Sequence, residues 1–158
     1  MQRASEIASA AAAASAAAAA VARPESAAAA VAGGPLRILV VDDNHDVAES
    51  MSELLSVIGH EVRMAHDGEA ALLAADAFRP HVMLLDIGLP ILSGYEVCRR
   101  VREQEWGAAI RVVALTGWGD PEAVRKGEAA GFDSHLVKPV DEAVLVATLA
   151  DLSTRSRA

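Results

Sequence analysis

"RILVVDDNHD", residues 37–46, places a short apolar run directly before two adjacent aspartates, Asp42 and Asp43. The run from Ile38 to Val41 is wholly apolar and mostly β-branched, which is typical of a strand that is covered on both faces. A buried carboxylate is costly unless it is compensated, and two neighbouring carboxylates also repel each other. The stretch therefore predicts a buried strand that ends at a site where positive charge is held.

Strand and helix patterns alternate through the rest of the chain. The predicted strands are residues 36–41, 61–65, 81–86, 110–116 and 134–138. The predicted helices are Val47 to Ile58, then 69–78, 94–104, 121–130 with Asp120 as its N-cap, and 141–152. Strict alternation of this kind favours one doubly wound (βα)5 domain, in which helices cover both faces of a five-stranded parallel sheet.

The first 34 residues have a different composition. They are mostly alanine, which favours helix but offers little apolar surface to bury, so residues 1–34 are predicted to be a disordered or fraying helical tail or linker. Glu6 and the weak hydrophobicity of alanine argue against a signal peptide and against a membrane span. The domain is predicted to span 35–152, with a short tail over 153–158.

Charge and cysteine content narrow the class of protein. The formal net charge of the 158 residues is -8, which argues against a nucleic-acid-binding surface. The single cysteine, Cys98, excludes an internal disulfide and fits a reducing compartment such as the cytoplasm. We expect Cys98 to be an inert, packed thiol, and we expect no association with a membrane.

Polar side chains occur where the predicted strands end. Asp42 and Asp43 end the first strand, Asp86 the third, Thr116 the fourth and Lys138 the fifth. Parallel strands bring their carboxyl ends to one edge of the sheet, which is where ligands of such folds bind.

Three carboxylates supply oxygen ligands, which Mg²⁺ prefers. A magnesium ion bound by carboxylates usually also binds a phosphate group. Zinc is disfavoured, because the five histidines show no ligand-pair spacing and the chain has only one cysteine. Taken alone, the two adjacent aspartates would also suit the N-cap of the following helix.

Four motifs stand in register at these positions: "VVDDN" (40–44), "LLDIGLPILSG" (84–94), "ALTG" (114–117) and "LVKP" (136–139). With them, residues 36–152 resemble the receiver domain of two-component response regulators, the CheY-like or flavodoxin-like fold. The resemblance implies that Asp86 is the phosphoacceptor. It also implies that Mg²⁺ is bound by Asp42, Asp43, Asp86 and the backbone carbonyl of Gly88.

Two further roles follow from the resemblance. Thr116 would hydrogen-bond the phosphoryl group, and Lys138 would pair with the acceptor carboxylate and then with the phosphoryl oxygens. The peptide bond between Lys138 and Pro139 would be cis, as it is in relatives. His135 stands where many relatives carry a Tyr or Phe that moves with the threonine, so it is either an altered switch that adds pH sensitivity or a polar residue of an edge strand.

The implied function is a phosphoacceptor domain in a two-component or phosphorelay pathway, not an enzyme. Its donor would be a histidine kinase or histidine phosphotransfer protein, and its downstream target is not identified by the sequence. The alternatives are a receiver fragment of a hybrid histidine kinase, a small Mg²⁺-dependent phosphohydrolase, and an interaction module without phosphorylation.

Three surface expectations accompany this interpretation. The side chains of Arg99, Arg100 and Arg102 are predicted to form a solvated helix face. His45 is expected to be solvated beside the acids. Trp118 is expected to lie in the loop over the site.

Overall fold

The computed structural model describes residues 3–4, 6–7, 34–117 and 121–154. The expectations for Trp118 and Asp120, for most of the tail over 1–34 and for residues 155–158 lie outside the described residues. Within the predicted tail, the dipeptide strands Arg3–Ala4 and Glu6–Ile7 pair in parallel. None of the helices in the described part of the chain has the length and apolar character that are needed to cross a bilayer.

The main sheet has five parallel strands, as predicted. They are β1 (Arg37–Val41), β2 (Glu61–Ala65), β3 (Val82–Asp86), β4 (Arg111–Thr116) and β5 (Ser134–Val137). Their order across the sheet is β2-β1-β3-β4-β5. The second strand therefore lies on one side of β1, and the later strands are added on the other side. Since β1 and β3 are neighbours at this reversal, their carboxyl ends border the crevice where ligands of doubly wound folds bind.

Five α-helices connect and follow the strands. They are α1 (His45–Ile58), α2 (Gly68–Phe78), α3 (Gly94–Arg102), α4 (Pro121–Ala130) and α5 (Glu142–Thr154). The third helix is two residues shorter than predicted, because a separate 3-10 turn forms at Glu105–Gly107. The last helix ends two residues later than predicted.

Local sequence explains the helix ends. The side chains of Asn44, Asp67 and Ser93 accept hydrogen bonds from backbone N–H groups in the first turns of α1, α2 and α3. Gly59 ends α1 with a φ of 118°, a left-handed conformation that a side chain would strain.

The alternating strand residues form two cores, one on each face of the sheet. On one face, Leu39, Val41, Met83 and Leu85 pack with apolar residues of α2, α3 and the end of α4. On the other face, Ile38, Val40, Leu84 and Leu115 pack with those of α1 and α5. Burial on both faces explains why these strands read as continuous apolar runs.

The prediction of a wholly solvated arginine face on α3 is wrong for Arg102. Arg99 and Arg100 are exposed and pair with Glu96, but the side chain of Arg102 is only 14% exposed and contacts Asp133 at 2.9 Å. The guanidinium group of Arg102 also donates to three backbone carbonyls, those of Gly107, Ile110 and Gly131. Gly107 and Ile110 lie in the segment that follows α3, and Gly131 and Asp133 lie in the loop before β5. Helical periodicity does not predict contacts with either segment.

Candidate functional site

The structure brings the three predicted acids together at the carboxyl ends of β1 and β3. Oxygen atoms of Asp42, Asp43 and Asp86 all lie within 4.8 Å of one another. Asp42 has no exposed surface and Asp86 is 7% exposed, whereas Asp43 is exposed. The cluster therefore has two buried carboxylates beneath one that faces solvent.

Lys138 supplies positive charge to the cluster. Its Nζ lies 2.9 Å from Asp42 Oδ2 and 3.4 Å from Asp86 Oδ2. The backbone N–H of Lys138 donates to the carbonyl of Thr116 at 2.7 Å, which holds the end of β5 beside the end of β4. Thr116 is buried at the end of β4, and the Lys138–Pro139 peptide bond is cis. All the predicted side chains thus meet at one edge of the sheet.

Backbone groups orient both buried carboxylates. The N–H of Asn44 donates to Asp42 Oδ1 and the N–H of Gly88 donates to Asp86 Oδ1, each at 2.9 Å. Gly94 packs against the backbone of Asp86: a Cβ at position 94 would lie 2.5 Å from the Asp86 carbonyl oxygen. This close approach explains why position 94 is a glycine.

Burial and charge shift the pKa values of two site residues in the same direction. Burial raises the pKa of Asp86, and the Asp42 carboxylate adds to that rise, while the Gly88 N–H and the Lys138 ammonium oppose it. Burial lowers the pKa of Lys138, but Asp42 and Asp86 outweigh this effect and raise it above its ordinary value. Lys138 is therefore firmly cationic, and its surroundings make ionisation of the Asp86 carboxyl group less favourable than in water.

The donor set fits a divalent cation such as Mg²⁺. The three groups supply only oxygen atoms, which Mg²⁺ prefers, and Asp43 is open to solvent on one side. Asp42 Oδ2 is buried and makes no hydrogen bond of good geometry, although it lies near the lysine. An oxygen in this condition gains from a bound cation.

His135 is a half-buried residue of the edge strand β5. The imidazole packs against Gly127 of α4, so closely that a Cβ on that glycine would overlap Nε2, and its centre lies 6.0 Å from that of the Phe132 ring. His135 Nε2 is buried without a hydrogen-bond partner. Burial lowers the pKa of His135, and the Glu128 carboxylate opposes that effect. The ring therefore lies inward and neutral, although the strand is at an edge.

One feature beside the acids was not predicted. The rings of His45 and His66 stack with their centres 3.7 Å apart and 12° between their planes. His66 Nδ1 contacts the carbonyl oxygen of Asp42 at 3.1 Å. The expectation that His45 is merely solvated is incomplete, because His45 is exposed but has this partner. No local sequence signal connects residues that lie on different elements.

Comparison with known proteins identifies the family. Residues 38–150 match the model of the response regulator receiver domain. The response regulator MprA of Mycobacterium avium is 38% identical over 122 residues, which are 77% of this chain and 53% of that protein. The chain thus spans about half the length of the curated relatives it matches.

Solved structures give the same fold. The chemotaxis protein CheY4 of Vibrio cholerae superposes with a TM-score of 0.72 at 32% identity, covering 75% of this chain and 98% of that one. The receiver domain of the sensor histidine kinase PA1611 of Pseudomonas aeruginosa superposes with a TM-score of 0.71 at 30% identity, covering 77% of this chain and 99% of that one. That second structure has a magnesium ion coordinated in its active-site cleft.

Proposed function

The chain belongs to the response regulator receiver domain family, and we propose that it accepts a phosphoryl group on Asp86 from a phosphohistidine of a histidine kinase or histidine phosphotransfer protein. The observation that carries this proposal is the position of Asp86, which is buried within the cluster that it forms with Asp42 and Asp43 and lies only 3.4 Å from the ammonium of Lys138. The carboxylate form of Asp86 is the nucleophile in this proposal, and the neighbouring Lys138 ammonium favours that form.

The proposed step is in-line transfer. An Asp86 oxygen forms a bond to phosphorus while the bond from phosphorus to the donor nitrogen breaks, and that electron pair stays on the donor ring. Lys138 neutralises charge on the phosphoryl oxygens, and Thr116 donates a hydrogen bond to one of them. The Gly88 N–H holds Asp86 Oδ1, which fixes the direction from which the carboxylate attacks.

We propose Mg²⁺ as the cation that Asp42, Asp43, Asp86 and the carbonyl of Gly88 hold. When bound, it would neutralise charge on the acids and on the transferring group. The oxygen-only donor set and the buried, weakly satisfied Asp42 Oδ2 support this choice.

The proposed role is signalling from the cytoplasm and not catalytic turnover of a substrate. Val137 at the end of β5 directly precedes Lys138 and is 51% exposed. An exposed apolar side chain beside the site suits contact with a protein partner that senses the state of Asp86. The acidic net charge of the chain argues against direct binding to nucleic acid.

The proposal is tested by incubation with acetyl phosphate and Mg²⁺ followed by intact mass measurement. One phosphoryl group that hydroxylamine removes is expected, since an acyl phosphate is labile to that nucleophile. Asp86→Asn is expected to abolish the adduct. Asp46→Asn, which alters an exposed acid in the first turn of α1, is the control and is expected to leave it. Turnover of a phosphate ester in excess over protein would instead favour a phosphohydrolase.

A further inference from the structure

The stacked rings of His45 and His66 are held in place from both sides. The carbonyl oxygen of Asp42 can only accept, so His66 Nδ1 carries a proton and donates it, which fixes the orientation of that ring. His45 is the first residue of α1, and the cap made by Asn44 fixes that end of the helix. Two independent anchors therefore bring the rings face to face.

The position of the stack places it at the border of the acid cluster. His66 directly follows β2, and β1 lies between β2 and β3 in the sheet. The stack and Asp86 therefore flank the pair formed by Asp42 and Asp43. His66 stacks on one face of the His45 ring, and His45 as a residue is exposed. We therefore expect the other face of that ring to be accessible to an arriving molecule.

Ordinary explanations do not account for the arrangement. The pair is not core packing, because His45 is exposed and His66 only half-buried. A shared metal ion is also excluded by geometry. Ring nitrogens direct their lone pairs within the ring plane, and two planes 3.7 Å apart and nearly parallel do not converge on one ion at about 2.1 Å.

We propose that His45, supported by His66, is a positioning residue that stacks against the imidazole ring of the phosphohistidine donor. This inference rests on the proposed function, and it adds a preference for donors that carry a ring. Aromatic rings stack favourably in offset parallel arrangements, and a stack that is already formed loses little freedom when a third ring joins it.

The positioned reaction is balanced without any further reactant. A donor ring protonated on its second nitrogen transfers the phosphoryl group to the Asp86 carboxylate. The phosphorus–nitrogen bond breaks, its electron pair stays on the ring, and the ring leaves as neutral imidazole. The His45 ring takes no part in bond making and only holds the donor ring in line.

Two small donors separate ring recognition from phosphoryl chemistry. Phosphoimidazole carries the ring, and phosphoramidate has the same phosphorus–nitrogen bond without it. The full chain with Mg²⁺ is incubated with each donor, and the rate of Asp86 phosphorylation is followed by intact mass. We expect His45→Ala to slow the reaction with phosphoimidazole about two- to tenfold. The rate with phosphoramidate is expected to stay unchanged, which also shows that the variant is folded.

Two further variants sharpen the test. His45→Phe keeps an aromatic face and is expected to retain the preference for phosphoimidazole. Glu49→Ala, at an exposed position of α1, is expected to change neither rate. An equal loss with both donors, or no loss with either, would overturn the role of His45 and leave the acceptor role of Asp86 intact. Absence of an adduct from both donors in the parent protein would overturn the proposed function, and this inference with it.

Discussion

Lys138 Nζ lies 2.9 Å from Oδ2 of Asp42, a carboxylate that has no exposed surface. The same ammonium group is 3.4 Å from Asp86. One lysine therefore compensates two buried acids, and the nearer of the two is not the proposed acceptor. Two adjacent aspartates can follow a buried strand because the Lys138 ammonium neutralises the charge of Asp42. The neighbouring Asp43 is exposed to solvent.

Removing the lysine leaves two buried carboxylates without the ammonium group that neutralises them. We expect Lys138→Met to lower the free energy of unfolding by about 2–4 kcal/mol at neutral pH without divalent cation, as measured by urea denaturation. Lys126→Met is the control, since Lys126 is exposed and its ammonium rests over the Tyr95 ring at 4.6 Å; its cost is expected below about 1 kcal/mol. Equal costs in the two variants would show that Lys138 does not compensate the acids.

Removing the charge of Asp86 is expected to have the opposite effect on the free energy of unfolding. Because the pKa of Asp86 is raised in the folded protein, the folded state binds a proton more readily than the unfolded state, and ionised Asp86 costs stability above its folded pKa. Asp86→Asn retains an oxygen for the Gly88 N–H and is expected to raise the metal-free free energy of unfolding by about 0.5–2 kcal/mol at pH 7.5.

The pH dependence checks the cause of that gain. The difference between Asp86→Asn and the parent is expected to shrink as the pH falls through the folded pKa of Asp86, because the parent then carries a neutral acid as well. A gain in unfolding free energy that stays constant at low pH would show that the effect comes from packing and not from charge. Asp46→Asn, at an exposed position, serves as the matched control.

The Arg102 contact is a third test, remote from the acids. Its guanidinium group joins α3 to the loop before β5 by contacting Asp133, whose carboxylate also accepts from the N–H of Val112. Arg102→Lys keeps the charge but loses the several N–H donors of the planar guanidinium group. We therefore expect a loss of about 2–4 kcal/mol in unfolding free energy. Arg99→Lys, on the exposed side of the same helix, is expected to lose less than about 0.5 kcal/mol. Similar losses would contradict a structural role of Arg102.

The sheet and the acid cluster could be predicted because their causes are local. A strand covered on both faces must be apolar throughout, so its first polar residue marks the edge of the sheet, as at Asp42, Asp86 and Thr116. Parallel topology then brings those residues together without knowledge of any side-chain contact.

Two contacts that were missed join elements distant in the chain. The inward position of Arg102 depends on Asp133, and the ring stack of His45 depends on His66. Helical periodicity predicts only which side of a helix is apolar, and it does not predict which loop supplies carbonyl acceptors or a second ring. Likewise, His135 lies on an edge strand but is half-buried, because Gly127 of α4 leaves room for it.

Two histidines lie at the end of the sheet opposite the acid cluster, and they are expected to make the stability of the fold sensitive to acid. His60 Nδ1 accepts from the N–H of Leu36, and His81 Nδ1 accepts from the N–H of Arg37, at 3.0 and 2.9 Å. Burial lowers the pKa of each to about 4; the charge of the His81 ring adds to the shift at His60, and that of Arg37 adds to the shift at His81. Both rings must therefore be neutral to accept these bonds.

The sign of the effect follows from proton binding. Between pH 6.5 and about 4 the unfolded state binds more protons at these two sites, so their contribution is complete above pH 6.5 and is lost as the pH falls toward 4. After allowance for the partial exposure of the two rings, the free energy of unfolding is expected to fall by about 1–3 kcal/mol per site. His81→Asn, whose side-chain oxygen can accept the Arg37 N–H, is expected to flatten the pH profile of urea denaturation. An unchanged profile would remove His81 as a cause.

The last prediction concerns the fit of His135 against Gly127. A methyl group at position 127 would overlap His135 Nε2, whereas alanine is otherwise better than glycine within a helix such as α4 by about 1 kcal/mol. Gly127→Ala is therefore expected to destabilise the parent by about 1–3 kcal/mol, because the half-buried ring must move. In a His135→Ala background the same change is expected to stabilise by about 0.5–1 kcal/mol. Urea denaturation of the four proteins measures the coupling directly. A change of the same sign in both backgrounds would mean that the ring does not occupy the space above Gly127 in solution, and α4 would then be free to pack without reference to His135.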